Sequence, residues 1–416
     1  MSNIILTKCQ ESAIKEFTKF AINPSQIFFN LSGNSGTGKS TTVPYLIKAM
    51  LTANKTNKVL GSEGKPITRI AYCASTHKAA RVLSDEVGGT VTTIHSMFSL
   101  TRGFDRDTGD EYYFKNPKKN VQFLPDTLLV IDEVSLIDET LFKLITKHLP
   151  NNCKVVLIGD SNQLPPINHV NSPVYSKSFP ITYLTTPTRF DNEELIEFSN
   201  ELRLAVEGNK LPKLNEGNHI KILDREQFNN AMVLTNKQGF NVKTIAWRNK
   251  TVGKYSDLIH KELYGDAKYN VGQKLLAKSS FKTAAGDLIN SQTELLIEQP
   301  PKEIIKNIYD ETLEFMELVT DKGTIHIPNN KAKAMKAIKY LKDNKEWAAW
   351  YGKKDFFAEV INSYSITVHM SQGSTYDYIF IDLQDIMANK RFNEMLRLLY
   401  VAGTRGRKEV LIYTGR

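Results

Sequence analysis

The stretch at residues 33–40, Gly-Asn-Ser-Gly-Thr-Gly-Lys-Ser, has the residue types and spacing of a phosphate-binding loop. Glycines let backbone N–H groups curl around phosphate oxygens. The Lys39 ammonium can reach the outer phosphates, and the Ser40 hydroxyl can hold Mg²⁺. A chance glycine-rich turn would reproduce this pattern in roughly one chain in a hundred of this length. The stretch therefore predicts a nucleotide-phosphate site that uses Mg²⁺.

The segments on either side of this loop have the periodicity that the motif requires. Residues 26–31 form an apolar run that predicts a buried strand, and residues 41–53 predict a helix. The positive end of that helix would face the same anion as the loop. Pro44 lies one turn into the helix, where it removes a backbone hydrogen bond and predicts a slight bend.

An acidic pair follows a second apolar strand. Residues 127–131 are nearly continuously apolar, as in a covered parallel sheet, and Asp132 and Glu133 come next. Asp132 would hold Mg²⁺ directly or through water, and Glu133 would accept a proton from an attacking water. Such a pair is common by itself, but downstream of residues 33–40 it predicts the second half of the nucleotide site.

The order of the remaining segments predicts the fold class. The apolar strand at residues 154–158 leads to a polar loop in which Gln163 is placed to touch the γ-phosphate side. Strands that alternate with helices predict an α/β fold with doubly wound parallel sheets. Ligands of such folds bind at the carboxyl ends of the strands.

Two regions depart from this alternation of strands and helices. Residues 98–124 contain turn signals around an aromatic cluster at residues 112–114 and predict an inserted β-hairpin. The alternative is an ordinary surface hairpin that packs its aromatics inward. Residues 268–330 form short β-rich runs that predict a small barrel. Residues 331–357 are rich in lysines and aromatics and predict a helix, either a nucleic-acid surface or a solvated helix with a packed aromatic stripe.

Composition limits the classes of function. The chain has 416 residues, a formal net charge of +9 and 41% hydrophobic residues, which predicts two or more domains and favours polyanionic partners. Cys9, Cys73 and Cys153 have no paired spacing, which disfavours disulfides and zinc and predicts a reducing, cytoplasmic compartment. We expect neither a signal peptide nor a membrane span, because the sequence has no apolar run of sufficient length.

Taken in order, these motifs and several others resemble the motif series of superfamily 1 helicases, and most closely their RecD-like branch. The similarity covers essentially the whole chain, including the hairpin and the barrel insertion. Only residues 33–40 are specific by themselves, but the ordered set is highly specific. The stretches that carry it are residues 7–10, 33–40, 75–80, 132–135, 159–166, 189, 367–373 and 404–407.

The resemblance implies two RecA-like P-loop NTPase domains with ATP in the cleft between them. The first would cover residues 1–97 and 125–180, with the hairpin at 98–124 inserted as a strand-separating pin. The second would cover residues 181–265 and 358–416, and would carry an SH3-like β-barrel and helical insertion at 266–357.

The resemblance also implies a role for each site residue. Gln10 would select adenine, although by itself a surface glutamine is the simpler interpretation. Arg189 and Arg405 would enter from the second domain as arginine fingers, where a lone arginine is more often part of a surface salt bridge. The implied catalytic residues are Lys39, Glu133, Gln163, Arg189 and Arg405. The implied ATP-binding residues are Gln10, Gly33, Asn34, Ser35, Gly36, Thr37, Gly38, Lys39, Ser40, Thr41 and Gly373, with Mg²⁺ on Ser40 and Asp132.

Single-stranded DNA and forked duplex are the implied partners, with ATP and Mg²⁺ as cofactors. The resemblance implies a 5′→3′ helicase that acts as a monomer, with Phe114 or Tyr113 as the wedge. It also implies contacts with single-strand-binding or replication proteins. One alternative is a DNA-stimulated ATPase that remodels protein–DNA complexes without unwinding; it would share every motif, and only the hairpin discriminates it from a helicase. Another is a P-loop enzyme that acts on a small molecule, which would not need the arginine motif at residues 404–407. The sequence departs from the family at Met370, where lysine is usual, and at Gly403, where a bulky residue is commoner. The implied DNA contacts are Thr76, His77, Lys78, Thr93, His95, Phe114, Thr367, His369 and Gln372.

Overall fold

The computed structural model describes residues 5–59, 65–104, 111–116, 124–166, 169–190, 192–308, 311–344, 346 and 356–415. Two parts of the sequence predictions lie outside these residues. They are residues 105–110 and 117–123 of the predicted hairpin region, and Trp347, Trp350 and Tyr351 of the 331–357 segment. Within the described ranges, no helix is both long and apolar enough to cross a bilayer.

The chain divides into two compact units. The first comprises Met1–Lys221, Ser371–Thr375 and Met387–Val410, and the second comprises Ile222–Met370, Tyr376–Ile386 and Leu411–Arg416. The motif at residues 404–407 therefore lies in the first unit. The domain boundaries implied by the resemblance stay a prediction.

The first unit is built on a six-stranded sheet with the strand order β3-β2-β6-β7-β1-β8. Neighbouring strands pair in parallel, and apolar side chains cover the sheet on both faces. This arrangement confirms the predicted parallel α/β class. The strands are β1 (Phe28–Gly33), β2 (Arg69–Ala74), β3 (Thr92–Thr93), β6 (Thr127–Asp132), β7 (Lys154–Gly159) and β8 (Ile181–Leu184). Because β8 pairs with β1, this sheet extends past residue 180, where the sequence places the second domain.

Most of the helices of the first unit begin at polar caps. Thr7 and Gln10 form a capping box at the start of α1, and Asp138 accepts the Leu141 N–H at the start of α5. α2 begins at Lys39, directly after the loop, and continues through Pro44. The helices are α1 (Lys8–Ile22), α2 (Lys39–Val59), α3 (His77–Val87), α4 (Ile94–Met97), α5 (Glu139–His148), α6 (Glu193–Glu207) and, near the C-terminus, α12 (Phe392–Gly403).

Residues 98–124 contain the predicted hairpin. β4 (Leu100–Phe104) pairs antiparallel with β5 (Glu111–Lys115), with Thr101 opposite Phe114. The hairpin is inserted between α4 and β6, so it leaves the order of the parallel sheet unchanged.

The second sheet has the strand order β19-β10-β20-β21-β9. β10 pairs in parallel with β19 and with β20, and Phe228 packs edge-on against Phe380 in the core beside it. The strands are β9 (Ile220–Leu223), β10 (Val242–Ala246), β19 (Ser365–Thr367), β20 (Tyr376–Asp382) and β21 (Gly406–Tyr413). The helices around it are α7 (Arg225–Lys237), α8 (Asn249–Tyr264), α10 (Val368–Ser371) and α11 (Leu383–Met387).

The β-rich insertion forms three small antiparallel sheets, β14-β11-β18, β12-β13 and β15-β16-β17. An isolated bridge joins Ile297 to Thr320, and closure into an SH3-like barrel stays a prediction. The helix α9 (Lys331–Asp343) packs Ile338 and Leu341 against Phe315, while Lys331, Lys333, Lys336 and Lys339 are exposed. The strands are β11 (Lys274–Ala277), β12 (Phe281–Lys282), β13 (Leu288–Ile289), β14 (Glu294–Leu296), β15 (Lys302–Ile308), β16 (Glu311–Thr320), β17 (Gly323–Pro328) and β18 (Val360–Asn362).

Candidate active site

The phosphate loop joins the end of β1 to the start of α2, and two of its glycines are required by the backbone. Gly36 and Gly38 have φ angles of +77° and +75°. A Cβ atom on Gly36 would lie 2.8 Å from the Arg189 Cβ, and one on Gly38 would lie 2.5 Å from the Gln10 Nε2. Any larger residue at either position would therefore displace a neighbour that the sequence also assigns to the site.

Lys39 points back over the loop. Its Nζ donates to the carbonyl oxygens of Gly33 at 2.8 Å and Asn34 at 2.9 Å. Burial lowers the pKa of the Lys39 ammonium, while the negative charges of Asp160, Glu133 and Asp132 oppose that shift. The ammonium therefore lies among carboxylates at the base of the loop, where it can bridge them to a bound phosphate.

The acidic pair lies at the carboxyl end of β6, where the sequence predicts it. Burial, and then the neighbouring Glu133 charge, raise the pKa of Asp132 to about 7. Burial also raises the pKa of Glu133, although the charges of Lys39 and Arg405 act against it. Glu133 has a left-handed backbone with φ of +53°, and its N–H donates to the Asp132 Oδ1 at 2.8 Å. This strained conformation aims two consecutive carboxylates into one cavity.

Both predicted arginine fingers reach the loop at the same atom. The Arg189 Nη1 donates to the Ser35 Oγ at 3.2 Å, and the Arg405 Nη2 donates to it at 3.3 Å. Burial, and then the positive charge of Arg405, lower the pKa of Arg189 to about 10. Arg405 is anchored by its Nε, which donates to the Val401 oxygen at 2.8 Å. Both arginines lie in the first compact unit.

Two glutamines approach each other beside the acidic pair. The Gln163 Nε2 lies 3.5 Å from the Asp160 Oδ2, and the Gln372 Nε2 lies 3.5 Å from the Gln163 Oε1. Gln372, which the resemblance assigns to DNA, therefore contacts a residue of the nucleotide site. A Cβ on Gly373 would lie 3.9 Å from the Glu133 Oε1.

Gln10 is 2% exposed and lies against the back of the loop. Its Oε1 accepts the Thr7 N–H at 2.9 Å, and its Nε2 lies 3.4 Å from the carbonyl oxygens of Thr37 and Gly38. These contacts account for both ends of the amide. Selection of adenine by Gln10 stays a prediction.

A cavity of about 400 Å³ collects most of the predicted nucleotide residues, and its volume suits a nucleotide-sized ligand. The predicted residues on its wall are Ser35, Gly36, Thr37, Gly38, Lys39, Ser40, Thr41, Asp132, Glu133, Gln163, Arg189, Gly373 and Arg405. Gln10, Gly33 and Asn34 lie behind it, in contact with the loop.

Sequence reasoning missed three residues around this cavity. The Tyr400 hydroxyl accepts the Ser35 N–H at 3.0 Å and donates to the Asp160 Oδ2 at 2.7 Å. Arg397, one helical turn earlier on α12, donates to the carbonyl oxygens of Ser161 and Gln163. Glu86 lines the cavity from α3, and burial raises the pKa of its carboxyl while a hydrogen bond from the Ser40 hydroxyl opposes that shift. Of these three residues, only Tyr400 could have been found from the sequence, because it lies shortly before the arginine motif at residues 404–407.

Three of the predicted DNA contacts share one structural position. Thr93 and Thr367 end parallel strands and Thr76 lies just after one, and each uses its hydroxyl to accept a backbone N–H at the start of the next helix. A hydroxyl that accepts in this way can still donate its own proton. The three side chains therefore present donors at the carboxyl ends of β2, β3 and β19.

The predicted histidines and the hairpin aromatics differ in exposure. His77 and His369 are exposed and Lys78 is half-buried. Burial lowers the pKa of His95, and its ring centroid lies 4.3 Å from that of Tyr113. Tyr113 and Phe114 are 37% and 39% exposed. The hairpin therefore has exposed aromatic surface next to a predicted DNA contact.

Comparisons with known proteins find that the chain is similar to helicases. An AAA domain family model matches residues 6–225, and a UvrD-like helicase C-terminal domain model matches residues 362–413. The chain is 25% identical to the ATP-dependent DNA helicase dda of Enterobacteria phage T4, over 97% of this chain and 98% of that protein. Among solved structures it is similar to Bacteroides Pif1 helicase in complex with ADP-AlF3 and ssDNA, at 16% identity over 99% of this chain and 92% of that one, with a TM-score of 0.54. A structure describing unwinding at forked dsDNA by two coordinating Pif1 helicases gives the same TM-score at 17% identity, over 98% and 92% of the chains.

Proposed function

The chain belongs to the AAA domain family, and on that premise we propose that it is an ATP-dependent DNA helicase that moves 5′→3′ along single-stranded DNA and unwinds duplexes. The observation that carries the proposal is the single cavity bounded by the phosphate loop, the acidic pair and two arginines. The resemblance to superfamily 1 helicases read from the motifs is confirmed by the similarity to the phage T4 helicase over nearly the whole of both chains.

The donor set of the cavity fits Mg²⁺. Ser40 and Asp132 offer hydroxyl and carboxylate oxygens, the hard ligands that this ion prefers, and both line the same cavity. When bound, the ion would neutralise charge on the outer phosphates. Lys39, Gly36 and Gly38 would hold those phosphates by an ammonium and by backbone N–H groups.

The raised pKa of Glu133 supports its role as the general base. A carboxylate whose pKa is shifted towards neutrality accepts a proton more readily than an ordinary one. Arg189 and Arg405 would stabilise the charge that develops on the transferred phosphoryl group. Gln163 contacts Gln372, so its amide can relay a change at the γ-phosphate to residues 371–375.

The DNA path would follow the capping threonines. The Thr76 and Thr93 hydroxyls can donate to phosphate oxygens, and the nearby His95 would act by hydrogen bonding or stacking, because its lowered pKa keeps the ring neutral near pH 7. Thr367 and His369 would supply the equivalent contacts in the second unit. The net charge of +9 favours such a polyanionic partner.

The hairpin would act as the wedge. Stacking of one base on an aromatic ring is worth roughly 1–3 kcal/mol, and one duplex step costs about 1.4 kcal/mol in stacking. An exposed Phe114 or Tyr113 can therefore hold one opened pair, while net unwinding must come from ATP. We place the enzyme in phage-type replication, recombination or repair, as a monomer in the cytoplasm, which would be that of the host if a phage encodes it.

A forked-duplex assay tests the proposal. With ATP and Mg²⁺, a fork with a 5′ tail should be unwound and one with a 3′ tail should not. The same tailed strands carrying a protein block test the alternative function, a translocase that clears DNA without separating strands. Displacement of the block without unwinding of either fork would favour that alternative.

A further inference from the structure

We propose that the Ser35 hydroxyl is a further positioning group for hydrolysis, which holds both arginines and presents its own proton to the terminal phosphate. The inference rests on the proposed ATPase function. It concerns a side chain that the sequence assigns only to general phosphate binding through its place in the loop.

The geometry accounts for both acceptor sites of the hydroxyl. Ser35 is 3% exposed, and its Oγ receives N–H donors from Arg189 at 3.2 Å and from Arg405 at 3.3 Å. A serine hydroxyl has two acceptor lone pairs and one proton. With both lone pairs used by the guanidinium groups, the proton is the group left to donate. Ser35 lines the cavity, so a phosphate oxygen there would be its acceptor.

The two guanidinium groups repel each other, and Ser35 counters that repulsion. Both groups lie within 3.3 Å of the same oxygen, and the Arg405 charge contributes to the lowered pKa of Arg189. An oxygen shared between them keeps both directed at the same point of the loop. Without that oxygen, Arg405 would keep its bonds to Val401, Ser374 and Thr404, but the Arg189 guanidinium would lose its hydrogen bond to the loop and would have to be directed there again during each catalytic cycle.

The Ser35 backbone is fixed separately from its side chain. Its N–H donates to the Tyr400 hydroxyl at 3.0 Å. A Ser35→Ala substitution therefore removes the hydroxyl and keeps the anchor that shapes the loop. A hydroxyl whose oxygen accepts hydrogen bonds from two cationic groups is also polarised. This polarisation strengthens the hydrogen bond that the hydroxyl donates.

The test is a comparison of turnover with nucleotide affinity in Ser35→Ala. We expect kcat for DNA-stimulated ATP hydrolysis to fall about a hundredfold or more, the usual loss for one transition-state donor, while the Kd for ADP stays within about twofold. Binding of ADP with aluminium fluoride, which mimics the transferring phosphoryl group, should weaken in parallel with kcat. Retained ADP binding also demonstrates that the variant folds.

Ser172→Ala is the matched control. Ser172 is also a buried serine of the first unit, and its hydroxyl donates to the Ile137 oxygen at 2.7 Å, away from the cavity. It should keep the parent kcat. A Ser35→Ala enzyme with parent kcat, or one that loses ADP affinity in step with kcat, would overturn the proposal. If the parent does not hydrolyse ATP, the proposed function fails, and the aluminium fluoride comparison still decides the role of Ser35.

Discussion

Tyr400→Phe should weaken the first unit and slow hydrolysis, although Tyr400 has no implied role in the chemistry. The Tyr400 side chain is fully buried, and its hydroxyl links the phosphate loop to Asp160. Burial and the Asp160 charge raise the pKa of Tyr400, so the hydroxyl keeps its proton and donates it.

The magnitude follows from the two hydrogen bonds that the hydroxyl makes. The bond from the Ser35 N–H is neutral and worth about 1 kcal/mol, and the bond to the Asp160 carboxylate is charged and worth about 1.5–3 kcal/mol. Phenylalanine fills the same space but removes both of these hydrogen bonds, so the loss is about 3 kcal/mol. For a unit of this size, about 2–4 °C per kcal/mol gives a fall in Tm of about 6–12 °C.

Thermal unfolding of parent and variant by calorimetry measures this loss, and kcat for ATP hydrolysis measures its effect on the loop. Tyr183→Phe provides a matched control, because Tyr183 is exposed on β8. The control should unfold within about 1 °C of the parent. A Tyr400→Phe enzyme that also unfolds within about 1 °C of the parent would refute the assigned link between Ser35 and Asp160.

Four further results are expected. Lys39→Ala should abolish ATP hydrolysis while sparing DNA binding, measured by turnover and by fluorescence anisotropy; unchanged turnover would contradict the site. Phe114→Ala should reduce fork unwinding more than DNA-stimulated hydrolysis, and equal losses would remove the wedge. Without Mg²⁺ or nucleotide, stability should fall as pH rises from about 4 to 7, because Asp132 ionises near 3.9 when unfolded and near 7 when folded, so the folded state holds the extra proton in that window. The Tm of Asp132→Asn should therefore rise relative to that of the parent as pH rises. A difference in Tm between the two proteins that does not change with pH would contradict the raised pKa of Asp132. DNA affinity should fall steeply with salt, and a flat response would argue against a groove that binds the phosphate backbone.

The local motifs could be predicted from sequence because each depends on nearby residues. Residues 33–40 need only their own glycines and the strand and helix beside them. The acidic pair needs only the apolar strand before it. The hairpin is predicted from turn residues around the aromatic cluster at residues 112–114, and the pairing of β4 with β5 confirms it.

Contacts between distant segments could not be predicted in the same way. Arg189 and Arg405 share the Ser35 hydroxyl, and Gln372 lies beside Gln163, because of tertiary packing that no local pattern encodes. The glycine at position 403, where the family usually has a bulky residue, also reflects tertiary packing. A Cβ atom there would overlap the Leu202 side chain of α6. Closure of the barrel depends on strand pairing over long sequence separations, which composition does not determine.

The most direct test of the central claim is ATP hydrolysis with and without single-stranded DNA, measured on parent enzyme and Lys39→Ala in the same series. The cavity and most of the predicted DNA contacts lie in the first compact unit, so DNA should stimulate hydrolysis strongly in the parent and have no effect in the variant. Equal rates of hydrolysis by the parent with and without DNA would contradict the account, because DNA would then have no effect on the nucleotide site.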